Sequence, residues 1–423
     1  MSLVKTSLLN GIAVVVKLAG ALVLNKILAI FVGPAGYAII GQFQNIVAII
    51  VNIAGGVLAT GVTKATAQHF DDEARQHFVW KTAFRLSIVA SLIAGLILLF
   101  VGNTLSSWLL KRADMSSVFV TLALSLPAMT ANNLLLAIVN GKKNVGIYVA
   151  SNIVGSILGV TVTGALALNY GLYGALIAFT INPAITLVAT GFLLRRSTWC
   201  KINHLWGAID KESVRELLSF GLMGLTTALV VPVSHMLIRD YLAEKLSWAD
   251  AGYWQAVWKI SDIYLLLITS TLSVYYLPRI AEIREALDLK NEIVKAYRFL
   301  LPLSVIGAST IFLSRDFIIK ILFTPDFSPI RELFVWQLVG DIIKISSWML
   351  GYVVVGRAMA KVFILKEIGM GVLFVLLTRI FVDKVGLQGV TIAYLLMYLV
   401  NWLLLINIVR LEMRKMAIES CSL

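Results

Sequence analysis

The sequence predicts an all-α polytopic membrane protein, with about twelve transmembrane helices in two six-helix lobes related by a parallel repeat. Three observations lead to this prediction. Hydrophobic residues make up 59% of the 423 residues, charged residues only 14%, and the mean hydropathy is +0.89, whereas soluble domains carry ~25% charged residues. Apolar stretches of about 20 residues, enough to cross a bilayer as helices, recur along the chain. Motifs of the first half also return in the second half.

Hydropathy predicts each span in turn. The first follows Lys5, and because Lys17 interrupts its apolar run and no small-residue cleavage site follows, we expect an uncleaved helix and not a signal peptide. The predicted spans lie near residues 7–32, 38–62, 82–101, 117–139, 146–168, 173–194, 216–239, 250–275, 298–314, 331–355, 361–382 and 387–409.

The basic residues predict the orientation of these spans. Lys and Arg are concentrated in connections on one side of the predicted membrane, at residues 142–143, 195–201, 279–298 and 410–415. Since cytoplasmic loops carry the excess of Lys and Arg, we expect both termini in the cytoplasm. Much of the net charge of +13 is this topological signal, so we expect no nucleic-acid partner.

An internal repeat predicts the organisation of the lobes. Gly171, Leu172 and Gly174 recur 215 residues later as Gly386, Leu387 and Gly389, and three further motifs return at nearly the same offset. Each unit holds six spans, so both halves have the same orientation and their pseudo-twofold axis follows the membrane normal. Transporters built this way bind substrate between the halves; a duplicated scaffold without transport is the alternative. The predicted lobes are residues 1–200 and 216–423, joined by a cytoplasmic loop at 201–215.

Charged residues in the middle of spans are the candidate functional residues. A charge at mid-bilayer costs about 2.5–3.5 kcal/mol on insertion scales and usually faces a wet cavity or a partner. Lys17 lies in the first span, Lys259 and Asp262 in the eighth, and Asp341 and Lys344 in the tenth. The i, i+3 spacing of the last two pairs allows them to form neutralising intrahelical ion pairs. Alternatively, the cations contact an anionic ligand and the acids titrate or bind a coupling cation.

Helix geometry ranks the remaining candidates. Asn10 shares a helix face with Lys17, whereas Lys26 lies on the opposite face unless the helix bends, for example at Gly20. The candidate substrate-binding residues are Asn10, Lys17, Lys26, Lys259, Lys344 and Lys366, and the candidate ion-coupling acids are Asp262, Asp341 and Glu367. Tryptophans near span ends are expected to be interfacial anchors; they are Trp254, Trp258, Trp336 and Trp348.

Several function classes are disfavoured by what the sequence lacks. The two cysteines, Cys200 and Cys421, form neither a disulfide framework nor a metal site, and no nucleotide-binding or hydrolase motif is present. We therefore expect no cofactor and no metal. A polytopic membrane enzyme is also disfavoured, because the longest outer connections, 102–116 and 315–330, are short and His235 stands alone.

Three stretches resemble the Wzx flippases of the multidrug/oligosaccharidyl-lipid/polysaccharide exporter superfamily, especially the enterobacterial branch that serves O-antigen or enterobacterial common antigen. These stretches are residues 1–36, "GYWQAVWKISDIYLLLITSTLSVYYLPRI" (252–280) and "FVWQLVGDIIKI" (334–345). The resemblance implies a two-lobed inner-membrane protein with a V-shaped central cavity and alternating access.

The resemblance also implies a substrate and partners. The substrate would be an undecaprenyl-pyrophosphate-linked oligosaccharide moved to the periplasmic leaflet. The partners would be membrane lipids, H⁺ or Na⁺, and a polysaccharide polymerase or chain-length complex. The residues that match the family's stretches are Lys17, Lys26, Asp262, Asp341 and Lys344. The alternative is a cation-coupled small-molecule or multidrug exporter. That branch typically has an acid in its first helix, where this chain has Lys17.

Overall fold

The structure is a computed structural model that describes residues 3–197 and 199–421, and this part of the chain is helical, without β-strands. It forms two compact units, Met1–Pro232 and Val233–Leu423. The division falls inside a helix, downstream of the predicted loop at 201–215. The helices are α1 Leu3–Val51, α2 Val57–Gln68, α3 Glu73–Leu109, α4 Ser116–Gly141, α5 Val145–Leu194, α6 Lys211–Lys245, α7 Trp248–Thr271, α8 Leu277–Glu282, α9 Ala286–Leu313, α10 Arg315–Leu322, α11 Phe334–Gly356, α12 Ala360–Val385 and α13 Gln388–Cys421.

Two long helices each contain two of the predicted spans. The backbone of α1 leaves the helical region at Gly33 (φ 68°, ψ −179°), just before Pro34, and that of α5 does so at Gly171 (φ 55°, ψ −132°). Both glycines have a positive φ, which residues with a Cβ adopt only with strain. The breaks lie between the predicted spans, so each long helix consists of two spans.

Two π-helical segments interrupt the helices of the second and eighth predicted spans. Asn52–Gly56 joins α1 to α2, and Leu272–Tyr276 joins α7 to α8. In the first segment Gly55 has φ 122°, and a Cβ at this position would lie 2.2 Å from Ser87 Oγ. Glycine is therefore required there by both conformation and space. Such π-bulges are frequent at functional sites.

Seven helical segments among the described residues are long and apolar enough to cross a membrane. They include the segments with α1 and α5, and those with α3, α4, α9, α11 and α13. The seventh, eighth and eleventh predicted spans correspond to α6, α7 and α12, which are outside this set and carry charged residues. The chain is a multi-pass membrane protein.

In the first unit, α1 packs on α5, and α4 packs on both α3 and α5. A buried cluster at one end of α2, α3 and α4 includes Val62, Trp80 and Ile138. The Trp80 indole is fully buried and its Nε1 donates to Thr66 Oγ1 at 2.9 Å, so this large ring carries no unsatisfied donor.

The loop before α6 is attached to the start of α3. Arg75 Nη1 lies 3.0 Å from Asp210 Oδ2, and Asp210 N donates to Thr82 Oγ1 at 3.0 Å. The ring of His204 stacks on that of His77 with centroids 4.0 Å apart. These contacts fix the predicted cytoplasmic loop to the first unit.

In the second unit, α13 packs on α11 and α12, and α9 packs on α11. The core lies between α7, α9, α11 and α13 and includes Leu265, Ile345, Met349 and Leu405. The middle of α11 is therefore surrounded by protein, and its polar residues require partners from other helices.

Positive φ angles recur in the backbone at the offset of the predicted repeat. Gly171 (φ 55°) and Gly386 (φ 65°), 215 residues apart in the repeated motif, both have a positive φ. Lys143 (φ 55°) and Ala358 (φ 52°), also 215 residues apart, have a positive φ although neither is glycine. Because such non-glycine residues are uncommon, their recurrence at the same offset supports a duplication.

Candidate substrate and ion site

Asp341 lies in the middle of α11 and its side chain is fully buried, with 0% exposure. Three hydroxyl groups donate to its carboxylate. Ser261 Oγ and Tyr264 OH contact Oδ2 at 2.6 and 2.7 Å, and Tyr394 OH contacts Oδ1 at 2.6 Å. Hydrogen bonds to a carboxylate are about twice as strong as neutral ones, so this acid is held by side chains of α7 and α13.

Small and amide side chains complete the surroundings of this carboxylate. A Cβ at Gly340 would lie 2.5 Å from Tyr394 Cδ1, so glycine allows α13 to approach α11 closely enough for the tyrosine to reach Asp341. Gln337, one turn before the acid, donates its Nε2 to Ser261 Oγ at 3.2 Å. Gln337 Oε1 is buried and has no hydrogen-bond partner among the described residues.

Lys344 lies one turn further along α11 and is only 5% exposed. Its Nζ lies 4.9 Å from the ring centroids of both Trp258 and Trp348, 5.5 Å from that of Tyr394 and 5.4 Å from that of Tyr398. Aromatic faces attract cations, by ~0.5–2 kcal/mol or more per desolvated ring. We call these four rings the aromatic cage of Lys344.

The two i, i+3 pairs do not form ion pairs. Among the described residues, no carboxylate oxygen lies within 4.0 Å of the Nζ of Lys344 or Lys259. Asp341 binds hydroxyl groups instead, and Asp262 is exposed while Lys259 is half-buried. Neither pair therefore forms a contact ion pair along its own helix within the described part of the chain.

Lys366 and Glu367 form the contact that the other pairs lack. Lys366 Nζ lies 2.5 Å from Glu367 Oε1 in α12, and the lysine also faces the ring of Phe363 at 5.3 Å. Because their charges cancel, this pair is a weaker candidate for binding a free anion or cation than Lys344 or Asp262.

The candidates of the first unit all lie on α1. Lys17 is exposed and Lys26 is half-buried, while the side chain of Asn10 lies outside the described part of the chain. The non-helical residue of α1 is Gly33 and not Gly20. The bend proposed at Gly20 is therefore not observed, and Lys17 and Lys26 remain on opposite faces of a continuous helix.

Sequence reasoning missed the hydroxyl and aromatic partners of the charges. Ser261 and Tyr264 are three residues apart on α7, and Tyr394 and Tyr398 are four apart on α13, so each pair lies on one helix face. Hydroxyl groups at this spacing in apolar spans indicate a polar helix face, and this pattern was visible in the sequence. It does not reveal that the partners contact α11, because the sequence separation from Asp341 exceeds fifty residues.

Three tryptophans expected to be interfacial anchors lie inside the second unit. Trp254 is 1% exposed, and Trp258 and Trp348 belong to the aromatic cage. His235 is also buried and meets Trp254 and Trp258 edge-on at 5.4 and 4.2 Å between ring centroids. The anchor interpretation is wrong for the buried Trp254, whereas Trp258 and Trp348 are half-buried and Trp336 is exposed.

No group of three or more His, Cys, Asp or Glu side chains among the described residues is arranged to hold a metal ion. The candidate charges of the second unit have different surroundings: Asp341 lies among hydroxyls, Lys344 among aromatic rings, and Asp262 is exposed. Such an arrangement can bind ions and polar ligands.

The family to which this chain belongs is shown by comparison with known proteins. The family described as "Polysaccharide biosynthesis protein" matches residues 27–332. The chain belongs to this family. It is 31% identical over 418 residues to the lipid III flippase of Escherichia coli (strain K12), covering 98% of this chain and all of the relative. The lipid III flippase of Shigella flexneri matches equally. The resemblance to the Wzx flippases is thereby confirmed.

Solved structures show the fold of this family member. The inward-facing form of a multidrug resistance MATE family transporter of the MOP superfamily matches with a TM-score of 0.80 and 17% identity, covering 96% of this chain and 99% of the other. The outward-facing form matches with a TM-score of 0.68 and 16% identity, covering 96% of each chain. A MOP superfamily transporter from Pyrococcus furiosus gives 0.68 and 17%, again over 96% of each chain. The two-lobed, all-α fold predicted from the sequence is confirmed.

Proposed function

We propose that this family member is a flippase that moves an undecaprenyl-pyrophosphate-linked oligosaccharide from the cytoplasmic to the periplasmic leaflet of the inner membrane by alternating access. The observation that carries the proposal is the near full-length relationship to the two lipid III flippases. The exposed Asp262 in the eighth predicted span agrees with a polar path through the membrane.

The chemistry of the substrate explains why such a path is needed. A pyrophosphate cannot enter the acyl chains of the bilayer without losing its hydration, and an unpaired charge in an apolar medium costs many kcal/mol. Fixed cations in a hydrated cavity replace part of this hydration, while the polyprenyl chain stays in the lipid. Lys17 is exposed on α1 and Lys259 is half-buried on α7, so each is, within its own unit, a proposed contact for an anionic head group.

Lys344 has a different proposed role. Because it is buried in the aromatic cage, it reaches a ligand only when these rings rearrange. We propose that the substrate head group competes with the cage for the ammonium group. Asn10, Lys26 and Lys366 remain candidate substrate-binding residues.

Asp262 and Asp341 are the proposed ion-coupling acids, with Glu367 a third candidate held by Lys366. Intramembrane acids commonly relay protons or bind cations in transporters. The coupling ion is H⁺ or Na⁺, the termini face the cytoplasm, and a polysaccharide polymerase or chain-length complex is the proposed partner.

Leaflet exchange in proteoliposomes tests the proposal. A labelled lipid-pyrophosphate oligosaccharide is followed in vesicles with wild type, Lys17→Ala or Lys344→Ala, and with Lys290→Ala as a control that removes an exposed lysine at the charged start of α9. We expect exchange with wild type and the control, and at least a tenfold loss in the other two variants.

Two other results would redirect the proposal. Exchange that is retained in full by Lys344→Ala and Asp341→Asn would make this pair structural. If wild type does not move the lipid under a proton or sodium gradient but extrudes a cationic dye, the protein is a small-molecule exporter, as the fold it shares with MATE transporters allows.

A further inference from the structure

The ninth membrane span is long enough to cross the bilayer, but its uncharged section is shorter than the hydrocarbon layer is thick. Its helix, α9, begins with a charged section that ends at Arg298, and residues 299–313 contain no charged side chain. At ~1.5 Å per residue this apolar section is about 22 Å long, whereas the hydrocarbon layer is ~30 Å thick. Some 8 Å of hydrocarbon therefore remains beyond Leu313, on the side that the charge distribution assigns to the periplasm.

The helix that follows, α10 (Arg315–Leu322), begins two residues after α9 ends and has three different faces. Ile319 and Leu322 are buried against the second unit. Phe317 and Ile321, one turn apart, point away from the protein and are 65% and 48% exposed. An amphipathic helix with a single apolar face would bury that face in the protein and leave charged residues outside; this helix has a second apolar face that no described part of the chain covers.

Charged residues on the remaining face show which way α10 is turned. Asp316 and Lys320 are exposed and one turn apart. Asp316 Oδ1 lies 2.9 Å from the Nε of Arg331, which is also exposed. The water-facing side of α10 is therefore next to its outward apolar face, as expected for a helix that lies flat at a boundary between water and lipid.

The apolar face of α10 is continuous with the lipid-facing surface of α9. Leu313, the last residue of α9, is 81% exposed, and Phe299 and Ile306 are also exposed along the same helix. A helix in a membrane span exposes such residues to acyl chains. Phe317 and Ile321 follow Leu313 by four and eight residues, so the exposed apolar surface of α9 continues onto α10.

We propose that α10 lies in the outer membrane interface and inserts Phe317 and Ile321 among the lipid acyl chains, which extends the apolar surface beyond the short uncharged section of the ninth span. A bilayer adjusts to a short span by thinning or by flanking residues that reach the interface; a second helix laid on the end of the first supplies the missing apolar surface directly. The placement of α10 holds whichever solute the protein transports.

Spin labels measure this placement in the full-length protein. Single cysteines replace Phe317, Ile321, Lys320 or Ile306 in a background with Cys200→Ser and Cys421→Ser, and the labelled proteins are reconstituted in phosphatidylethanolamine and phosphatidylglycerol vesicles. Power saturation then compares collisions with oxygen, which concentrates in the bilayer, and with a water-soluble nickel chelate. We expect labels at 317 and 321 to resemble the span control at 306, with an oxygen-to-nickel ratio several-fold above that at 320.

Two outcomes would overturn the proposal. Labels at 317 and 321 that collide with nickel as often as the label at 320 would place α10 in water. Labels shielded from both reagents would show a protein partner, such as a second copy of the chain, in place of lipid. If Phe317→Cys does not insert, the Ile321→Cys variant decides between the same results.

Discussion

Removing the acceptor at Asp341 tests the hydroxyl cluster most directly. In Asp341→Ala, Ser261 and Tyr394 lose their acceptor, and both are almost fully buried, at 2% and 0% exposure. An unsatisfied buried donor costs about 1–3 kcal/mol. The two hydroxyls together are therefore expected to cost about 2–6 kcal/mol, with Tyr264 adding less because it is only partly buried.

Asp341→Asn is the matched comparison. The amide keeps one oxygen for Ser261 and Tyr264, and its NH₂ group can donate to the hydroxyl of Tyr394. Both variants remove the same buried negative charge, so the desolvation of the carboxylate cancels between them. Asparagine loses only the extra strength of charged hydrogen bonds, about 1–2 kcal/mol in total. We expect the alanine variant to be less stable than the asparagine variant by about 2–3 kcal/mol.

Unfolding by sodium dodecyl sulfate in mixed micelles, followed by tryptophan fluorescence, measures these differences. In a Tyr394→Phe background one donor is already absent, so the penalty of Asp341→Ala is expected to fall by about 1–3 kcal/mol. Equal stability of the alanine and asparagine variants, or a penalty that does not depend on Tyr394, would refute the hydrogen-bond account of this cluster.

Three further changes have defined expected results. Lys344→Met loses the contacts with the aromatic cage, about 0.5–2 kcal/mol each, but it also removes the desolvation penalty of the ammonium group, several kcal/mol. We therefore expect the free energy of unfolding to change by less than about 2 kcal/mol and lipid exchange to be lost. A large loss of stability would contradict this. Hydrogen bonds from Ser213 hold the pKa of Asp210 below its usual value. The contacts of Asp210 that attach the loop before α6 to α3 therefore contribute their full stability at pH values above the usual pKa of an aspartate. This contribution is lost as the pH falls through the pKa of Asp210 in the folded protein. At neutral pH, Asp210→Ala should speed maleimide labelling of the half-buried Cys200 thiol, and an unchanged rate would contradict this attachment. Gly55→Ala should lower the unfolding free energy by about 1–3 kcal/mol or more, because of its φ of 122°; an unchanged midpoint in the same detergent titration would exclude strain there.

Much of the fold could be predicted because a membrane span is defined by the length and hydrophobicity of a continuous segment, which are read directly from the sequence. Hydropathy located the spans, and the pairs of spans that share α1 and α5 are separated by Gly33 and Gly171. The short helix α10 was not predicted within the outer connection at 315–330, because eight residues are too few for a periodic pattern to stand out from a loop.

The sequence by itself determined that this chain is a multi-pass membrane protein and predicted an internal repeat with charges inside the spans, because hydrophobicity and helical rise depend only on residue order. The tertiary structure decided what those charges contact. The i, i+3 spacing allowed Asp341 to meet Lys344, but α7 and α13 supply three hydroxyls to the acid and four rings surround the base, one of them contributed by α11 itself. Local spacing fixes only which contacts are geometrically allowed, and in a packed interior the neighbouring helices provide the stronger partners.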